Sequence, residues 1–363
     1  MTDNVDPGGD LTSGSGSSMR LKLTSASRDV GTAFFEIPPF EPHPLMPSGH
    51  LQTILSRYLP GLPGRLASVD HVVGLSDGDR LLVHDSVPEG WRAGRPMVLI
   101  VHGLGGDAGG IDLVRLGMRM VDLGSRVVRM NLRGAGPGFG LARRLYSGAS
   151  RDEVRAVAEW MAARSAGSPL ALVGFSLGAS LVLNLAAEAA DRPLEGLDCV
   201  LAAGAPIDLA ACARRMDHPS RRFYDRQFLF TVIPEVRRLH ARFPELGRAD
   251  LGSVRSMLDF DRRYTAPRNG FDRVEDYHDG CSPVGSLGRI AVPGLVVHAE
   301  DDPFIPLEPF RRASFPAGLS LEIYPSGGHL GFISRKPWAG DHRWLITRMA
   351  AWLAARWGSF GRA

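Results

Sequence analysis

The stretch PLALVGFSLGASLVLNLAA, residues 169–187, contains no charged residue, so most of it has to be buried in the protein or in a membrane. Its length is close to the ~20 residues of a membrane-spanning helix. Gly174 and Gly178 interrupt it, however, and the residues before Gly174 favour a β-strand. The stretch therefore predicts a buried strand, a tight turn and a buried helix in direct succession rather than a membrane span.

Strand-like and helix-like runs alternate along the chain from about residue 68 onward. The apolar run PMVLIVHG, residues 96–103, is typical of a buried parallel strand. The run RDEVRAVAEWMAAR after Ser150 has helical spacing, and Ser150 with Glu153 has the spacing of a capping box. Strand–helix alternation predicts an α/β protein, with a mainly parallel sheet and helices on both faces.

One segment, about 207–290, breaks this alternation because it holds aromatic, arginine and proline positions but no clear strand. An insertion of that length is usually functional or a small subdomain. We predict a mostly helical cap over the carboxyl edge of the sheet, where ligand sites of α/β proteins lie. The Gly-, Ser- and Asp-rich residues 1–30 are predicted to be a disordered tail, followed by one domain over 31–363 that includes the cap.

Charge and cysteine content exclude several classes of protein. The formal net charge of +3 is small for 363 residues and does not suggest a nucleic-acid partner. An odd, sparse set of three cysteines argues against a disulfide framework and indicates a reducing compartment. The first residues lack a basic region followed by an apolar one, so no secretory signal is expected. These features predict a cytoplasmic protein.

Within the uncharged stretch, Gly174, Ser176 and Gly178 form the pattern G-x-S-x-G. This pattern is typical of a nucleophile elbow, in which a strand turns abruptly into a helix and presents a serine at the turn. Small residues two positions to either side avoid collisions there. A packing turn without chemistry would fit the same residues. The apolar strand before the motif and the helical run after it favour a nucleophile.

A serine hydroxyl is a weak nucleophile and needs a base. In this arrangement the acid and then the histidine follow the serine along the chain. Asp302 follows the predicted strand GLVVHA, and His329 follows the predicted strand LSLEIYP. Because both come just after strand ends, we expect them to converge with Ser176 at one sheet edge. Asp301 and Glu300 are alternatives for the acid, and we favour Asp302, the residue before a proline.

An ester carbonyl under attack needs two preorganised N–H donors for its oxyanion. The first is expected from Leu177, the residue after the candidate nucleophile. The second is expected from Leu104 in the glycine-rich loop VHGLGGDAGG, residues 101–110, whose glycines let the backbone approach a substrate closely.

The same loop also supports a rival function. Gly103, Gly105 and Ala108 fit the dinucleotide fingerprint G-x-G-x-x-G/A after a strand, and Asp122 lies near the distance expected for a ribose-binding acid. A nicotinamide- or flavin-dependent oxidoreductase is therefore an alternative, although it leaves the serine, aspartate and histidine without roles. A non-catalytic binding protein on the same fold is a second alternative.

Other candidate residues give weaker signals. His102 and Asp107 match a loose acyltransferase pattern, and Cys281 lacks the elbow that a nucleophilic thiol would need. The histidines form no compact metal-ligand pattern, so no metal site is expected. Catalysis by a serine nucleophile needs no organic cofactor either, so none is expected. Arginines of the predicted cap form a solvated face or contact anionic headgroups: Arg214, Arg215, Arg221, Arg222, Arg237 and Arg238. Three tryptophans and three arginines of the last helix suggest sheet docking or an interfacial anchor: Trp344, Trp352, Trp357, Arg343, Arg348 and Arg356.

Several blocks together resemble the YheT-like family of α/β-hydrolase fold proteins, from about residue 34 to the C-terminus. The first is PFEPHPLMPSGHLQTIL at 39–55, with His50, Gln52 and Thr53 in the expected places. The others are VHGLGG, NLRGAG, RRLYSG, FDRRYTAPRNGFDRVEDYHDGCS, HAEDDPFIP and GGHLGF.

This resemblance implies the α/β-hydrolase fold and a Ser-Asp-His hydrolase, carried onto Ser176, Asp302 and His329. Ala179 follows the elbow where relatives often have a second glycine, and alanine is also small. The resemblance further implies a carboxylic ester substrate, either a small molecule or a lipid, with acyl-enzyme catalysis. The chain lacks the N-terminal membrane helix of some relatives, so peripheral membrane contact is the form of membrane association that we expect.

Overall fold

The computed structural model describes residues 37–59, 66–338 and 341–358, so the predicted tail at 1–30 lies outside the described residues. The strands are β1 (Val69–Gly74), β2 (Arg80–Ser86), β3 (Met97–Val101), β4 (Arg126–Met130), β5 (Leu170–Phe175), β6 (Leu197–Ala203), β7 (Gly294–Ala299), β8 (Leu319–Tyr324), β9 (Ile333–Trp338) and β10 (Asp341–Arg343). The helices are α1 (Gly49–Leu55), α2 (Ile111–Asp122), α3 (Arg151–Ala162), α4 (Leu177–Glu188), α5 (Leu209–Asp217), α6 (Arg222–Arg242), α7 (Met257–Phe260), α8 (Ala266–Arg268), α9 (Val274–Cys281), α10 (Glu308–Arg312) and α11 (Trp344–Trp357).

Eight strands form one sheet in the order β1-β2-β4-β3-β5-β6-β7-β8, and β9 pairs with β10 in a separate hairpin. The hairpin of β1 and β2 is antiparallel, and β2 is antiparallel to β4. The remaining neighbours are parallel from β4 to β8. The predicted mainly parallel α/β sheet is therefore confirmed, and its parallel strands all end at the edge that carries the site.

Two apolar cores cover the two faces of the sheet. In β3, Met97, Leu99 and Val101 pack on the face covered by α3, α4 and α10, while Val98 and Ile100 pack on the face covered by α2 and α11. Every residue of β3 is buried, which explains why its sequence is continuously apolar rather than alternating. The uncharged stretch at 169–187 forms β5 and most of α4, so both its parts are buried as predicted.

Helices occupy the segment between β6 and β7, which confirms the mostly helical cap. Residues 207–290, all of them described, contain α5 to α9 and short 3₁₀ turns but no strand, and a π turn joins α7 to α8. Leu229, Val232 and Val236 of α6 pack on Phe260 and Tyr264 in a core of the cap's own. Among the described helices, none combines the length and apolar character that a membrane span requires.

The predicted capping box is wrong, although α3 begins where expected. Ser150 is the N-cap residue, but its side chain makes no cap bond to the helix. Its Oγ instead accepts a hydrogen bond from the Ser147 amide at 3.1 Å. The Glu153 carboxylate accepts from Arg133 Nε at 2.8 Å and from the Arg133 amide. A buried carboxylate gains more from a guanidinium than from a neutral amide. Glu153 therefore binds Arg133, and the Ser150 amide donates to the Ser147 carbonyl instead.

His298 of β7 is buried and has no hydrogen-bond partner among the described residues, although Asp302 and His329 lie close enough to act on its charge. It has no solvent exposure, and neither ring nitrogen bonds to a described residue. The ring stacks on Phe310 with centroids 4.2 Å apart. Burial lowers the pKa of His298 from 6.5 to about 4. The unfolded chain therefore binds a proton at this position below pH 6.5, while the folded protein does so only near pH 4.

We expect the free energy of unfolding to fall as the pH drops from about 6.5 to about 4, because only the unfolded state gains the His298 proton there. Between these two pH values, the free energy of unfolding of the His298→Leu variant should decrease by about 3 kcal/mol less than that of the wild type. Urea unfolding followed by tryptophan fluorescence at both ends of the window measures this difference. The variant His218→Gln, at an exposed histidine, is the control. Equal pH dependence in His298→Leu and wild type would contradict the prediction.

Candidate active site

Ser176 lies at the sharp turn between β5 and α4, in a backbone conformation that is unusual for a residue with a side chain. Its φ is 53° and its ψ is −123°. Such conformations cost of order 1–3 kcal/mol and persist only where the surrounding structure enforces them. Its side chain makes no cap bond to α4 and is left available for other partners.

The two glycines of the G-x-S-x-G motif are required by close backbone contacts. A Cβ atom on Gly174 would lie 2.3 Å from the carbonyl oxygen of Gly178. A Cβ atom on Gly178 would lie 2.4 Å from the carbonyl oxygen of Val101 in β3. No side chain fits at either position, so the motif has the steric origin that the sequence analysis predicted.

Ser176, His329 and Asp302 form one chain of hydrogen bonds. The Ser176 hydroxyl lies 2.9 Å from His329 Nε2, and His329 Nδ1 lies 2.8 Å from Asp302 Oδ2. A proton on Nδ1 donates to the carboxylate, which leaves Nε2 free to accept the serine proton. The three residues come from the loops after β5, β7 and β8, so they meet at the carboxyl edge of the sheet.

Asp302 is held as a buried carboxylate. It is 1% exposed, and its Oδ1 accepts hydrogen bonds from the amides of Phe304 at 2.7 Å and Ile305 at 3.0 Å. Burial alone would raise the pKa of Asp302, but the charge and hydrogen bond of His329, with help from the backbone donors, hold it below its ordinary value. An ionised carboxylate at this place orients the histidine and stabilises its protonated form.

The two alternative acids lie elsewhere. Asp301 Oδ1 accepts from the Gly328 amide at 2.8 Å, so this carboxylate supports the loop that carries His329 without touching its ring. Burial raises the pKa of Asp301. Glu300 is exposed and pairs with Arg311. Only Asp302 of these three acids bonds the His329 imidazole.

The predicted oxyanion donors flank Ser176. A Cβ atom on Gly103 would lie 2.7 Å from Ser176 Cβ, so the glycine-rich loop passes directly beside the serine. Leu104 follows on that loop, and Leu177 is the first residue of α4. Leu104 and Leu177 both line the same cavity as Ser176 and His329. Within the described residues, neither leucine amide donates a hydrogen bond to another protein group.

Buried side chains hold the glycine-rich loop in place. His102 is 1% exposed; its Nδ1 bonds the Gly103 carbonyl at 2.8 Å, and its Nε2 accepts from the Leu132 amide at 3.1 Å. Burial lowers the pKa of His102 to about 4, so it stays neutral with both nitrogens engaged. The Tyr146 hydroxyl accepts from the Gly105 amide at 2.6 Å. His102 therefore shapes the loop and is not available as the base of an acyltransferase.

Helix α1 holds the loop that carries His329 in place. The motifs of the sequence did not predict this role. The Thr53 hydroxyl accepts from the His329 amide at 2.8 Å and donates to the Gly49 carbonyl at 2.6 Å. Gln52 is fully buried and bonds both the amide and the carbonyl of Ile333. The only signal for these residues in the sequence is their place in the family resemblance, since the partners are far apart along the chain.

The loop that α1 holds has several unfavourable backbone conformations. Leu330 and Phe332 have φ values of 63° and 41°, which side-chain-bearing residues rarely adopt. A Cβ atom on Gly328 would lie 2.3 Å from the Gly49 carbonyl oxygen, so α1 and the loop are in direct backbone contact. Packing against α1 therefore compensates for the strain in the loop.

A cavity of about 190 Å³ opens beside Ser176 between the sheet edge and the cap. Apolar and aromatic side chains from both parts line most of it, including Leu177, Phe228, Val232, Phe260, Tyr264 and Phe304. The Phe304 ring packs edge-on against the His329 imidazole with centroids 4.8 Å apart. This arrangement suits a substrate with an apolar portion next to a reactive carbonyl.

The structure does not place Asp122 where a dinucleotide-binding site would need its ribose-binding acid. Asp122 is the last residue of α2 and precedes β4, so it lies at the amino edge of the sheet, away from the glycine-rich loop. A ribose-binding acid has to be near the loop that holds the pyrophosphate. Across the described ranges, no group of three or more His, Cys, Asp or Glu side chains has a geometry that could hold a metal ion.

The three cysteines are unpaired thiols. Burial raises the pKa of Cys281 to about 12, which leaves it protonated and unreactive. Burial also raises the pKa values of Cys199 and Cys212. None of the three therefore competes with Ser176 as a nucleophile.

Comparisons with known proteins identify the family. The profile of the Alpha/beta hydrolase family matches residues 98–340. Over 312 residues the chain is 30% identical to "Putative esterase YheT" of Escherichia coli (strain K12), covering 84% of this chain and 89% of that protein. It is 27% identical over 248 residues to "Phospholipase ABHD3" of Mus musculus, covering 66% of this chain and 59% of that protein.

A solved structure shows the same fold. The esterase Pf2001 of Pyrococcus furiosus matches with a TM-score of 0.51 and 13% identity, over 82% of this chain and 98% of the esterase. The family profile covers more than half of this chain, and the E. coli relative aligns over most of both proteins. This chain therefore belongs to the alpha/beta hydrolase family, as one of its YheT-like members.

Proposed function

We propose that this protein is a serine hydrolase of carboxylic esters that works through an acyl-enzyme. The observation that carries the proposal is the hydrogen-bonded chain from Ser176 through His329 to Asp302, at a strained turn beside an apolar cavity. Two of the relatives are named an esterase and a phospholipase, and both names describe enzymes that cleave ester bonds.

In this mechanism His329 Nε2 takes the proton from Ser176 as its Oγ attacks the ester carbonyl carbon. The Leu104 and Leu177 amides donate to the resulting oxyanion. The C–O bond to the alcohol then breaks, and His329 gives its proton to the leaving oxygen. A water molecule repeats the sequence on the acyl-enzyme and releases the carboxylic acid, while Asp302 keeps the imidazole oriented and stabilises its charge.

The lining of the cavity supports an ester with an apolar acyl or alcohol portion. Aromatic and aliphatic side chains of the cap, such as Phe228, Val232 and Phe260, line the same cavity as the candidate nucleophile. The burial of apolar substrate carbon there contributes about 25 cal/mol per Å². Small-molecule and lipid esters both meet this description, and a series of p-nitrophenyl esters from acetate to palmitate distinguishes them by the chain length of fastest turnover.

We expect Ser176→Ala and His329→Ala each to lower kcat by about 10⁴- to 10⁶-fold, because the two side chains act as one unit. For the same reason the double variant should be little slower than either single variant. Turnover of p-nitrophenyl butyrate measures all three, and a fluorophosphonate probe should label the wild type but not Ser176→Ala. A double variant far slower than both singles would contradict a shared mechanism.

We expect Asp302→Asn to lower kcat by about 10⁴-fold, because the amide imposes the wrong imidazole tautomer on His329. The neighbouring Asp301→Asn is the matched control, since an amide oxygen can still accept from the Gly328 amide. It should change kcat by less than about tenfold. Steady-state kinetics of both variants decide between the acids, and the reverse order of effects would move the acid role to Asp301.

We expect Thr53→Val to lower kcat by about 10- to 100-fold with little change in KM, because the His329 amide loses its acceptor and the imidazole loses its position. Thr53→Ser keeps the hydroxyl and should restore most of the rate. A merely structural role would lower the melting temperature of Thr53→Val without this rescue or this split between kcat and KM. Kinetics and thermal unfolding of both variants, measured together, separate the two roles.

A further inference from the structure

The exposed side of α6 carries two phenylalanines and several arginines, beside one uncharged polar residue, Gln227. Phe223 and Phe230 are 62% and 72% exposed, and they lie seven residues apart on one side of the helix. Arg226 lies between them, and Arg237 continues the same side two turns later. We call this surface, defined by Phe223, Arg226, Phe230 and Arg237, the outer face of α6.

The charges on this helix are unbalanced. The exposed charged residues of α6 are all arginines: Arg222, Arg226, Arg237, Arg238 and Arg242. Its two acidic residues turn inward, since Asp225 is buried and Glu235 lines the cavity. Within the part of the chain that the structure describes, Arg222, Arg226 and Arg237 have no carboxylate within salt-bridge distance.

The opposite side of the same helix belongs to the site. Phe228, Val232 and Glu235 line the cavity beside Ser176. A Cβ atom on Gly105 would lie 2.7 Å from Thr231 Cγ2, so α6 also touches the glycine-rich loop. Anything that docks on the outer face is therefore separated from the cavity by one helix.

Helix α1 extends this surface at the first turn of α6. The His50 imidazole stacks on Tyr224 with centroids 5.5 Å apart, and Arg221 Nη1 donates to His50 Nε2 at 2.9 Å. Leu51, next to His50, is 38% exposed. Apolar and cationic groups thus continue from α6 onto α1.

From these contacts we infer that the outer face of α6 docks this protein on an anionic lipid surface. Arginines gain about 1 kcal/mol each near anionic headgroups, and the two phenylalanine rings bury in the interface between headgroups and acyl chains. Docking at this face holds the cavity next to the lipid, where ester substrates are concentrated. The choice of lipid as the partner rests on the proposed ester hydrolysis.

A nucleic-acid duplex would use the arginines but leave Phe223 and Phe230 against a charged backbone. A single strand would stack bases on the two rings, but the small net charge of +3 does not favour a nucleic-acid partner. A lipid surface is complementary to both kinds of side chain. The absence of an exposed carboxylate on α6 removes the repulsion that anionic headgroups would otherwise meet.

The test is cosedimentation of full-length protein with sucrose-loaded vesicles of about one-third phosphatidylglycerol in phosphatidylcholine. All proteins carry Ser176→Ala, so that no ester is cleaved during the measurement. We expect binding to these vesicles and at least tenfold weaker binding to pure phosphatidylcholine. Phe223→Ser with Phe230→Ser should weaken binding about tenfold or more, and each of Arg226→Gln and Arg237→Gln about fivefold.

Val69→Ser with Val72→Ser is the matched control, because these exposed valines lie on the edge strand β1 at the other end of the sheet. It should bind as the wild-type surface does. Binding of the α6 variants at the control level overturns the inference, as does a failure of the protein with the unaltered outer face to bind these vesicles. The inference is also overturned if the protein forms a dimer in the absence of vesicles and the phenylalanine substitutions abolish that dimer. A second copy of the chain would then be what covers the outer face of α6.

The proposed activity is tested separately with Ser176 intact. The α6 variants should hydrolyse soluble p-nitrophenyl butyrate at the wild-type rate, which shows that they are folded and that docking is a distinct property. If wild type shows no turnover but the vesicle results are as expected, the docking surface stands and the ester hydrolase proposal fails. Reduced turnover of the soluble ester in these variants overturns the separation of docking from catalysis.

Discussion

Backbone contacts at the turn from β5 to α4 determine where everything else in the site has to be. Gly174 packs on the first turn of α4 and Gly178 packs on the end of β3, with no room for a side chain at either point. These contacts hold Ser176 at a positive φ that it would not otherwise adopt. The serine therefore stands at a fixed point on the sheet edge, and the loops after β3, β7 and β8 are arranged around it.

Placing His329 needs a second constraint, because its loop is strained and lies outside the sheet. Thr53 and Gln52 supply it from a helix near the start of the described chain, through bonds to the His329 amide and to both backbone groups of Ile333. The position of the base thus depends on a segment that belongs to neither the sheet nor the cap. These bonds explain why a helix of only seven residues contains a fully buried glutamine.

Features that follow from local patterns, or from strands that end at one sheet edge, could be predicted from the sequence, and the other contacts between distant residues could not. The elbow follows from glycine spacing within one short segment, and the parallel sheet follows from alternating runs. The proline after Asp302 favours this acid over Asp301, and Asp302 is the one that bonds His329. Ser150 and Glu153 failed as a capping box because Arg133, distant in the sequence, binds the carboxylate. The bond from the His329 amide to Thr53 spans 276 positions and has no local pattern.

Helix α6 connects three features that are otherwise separate: a surface with phenylalanines and unpaired arginines, the apolar cavity, and the glycine-rich loop. It is 21 residues long, and its buried side supplies the cap with Leu229, Val232 and Val236. A helix packed this way gains its stability from the inner face, so the outer face is free of any packing requirement. Two aromatic rings there would be better replaced by polar residues in a helix that only met water. Their combination with arginines is explained when this face meets lipid, which brings the cavity on the other side of the helix close to ester substrates.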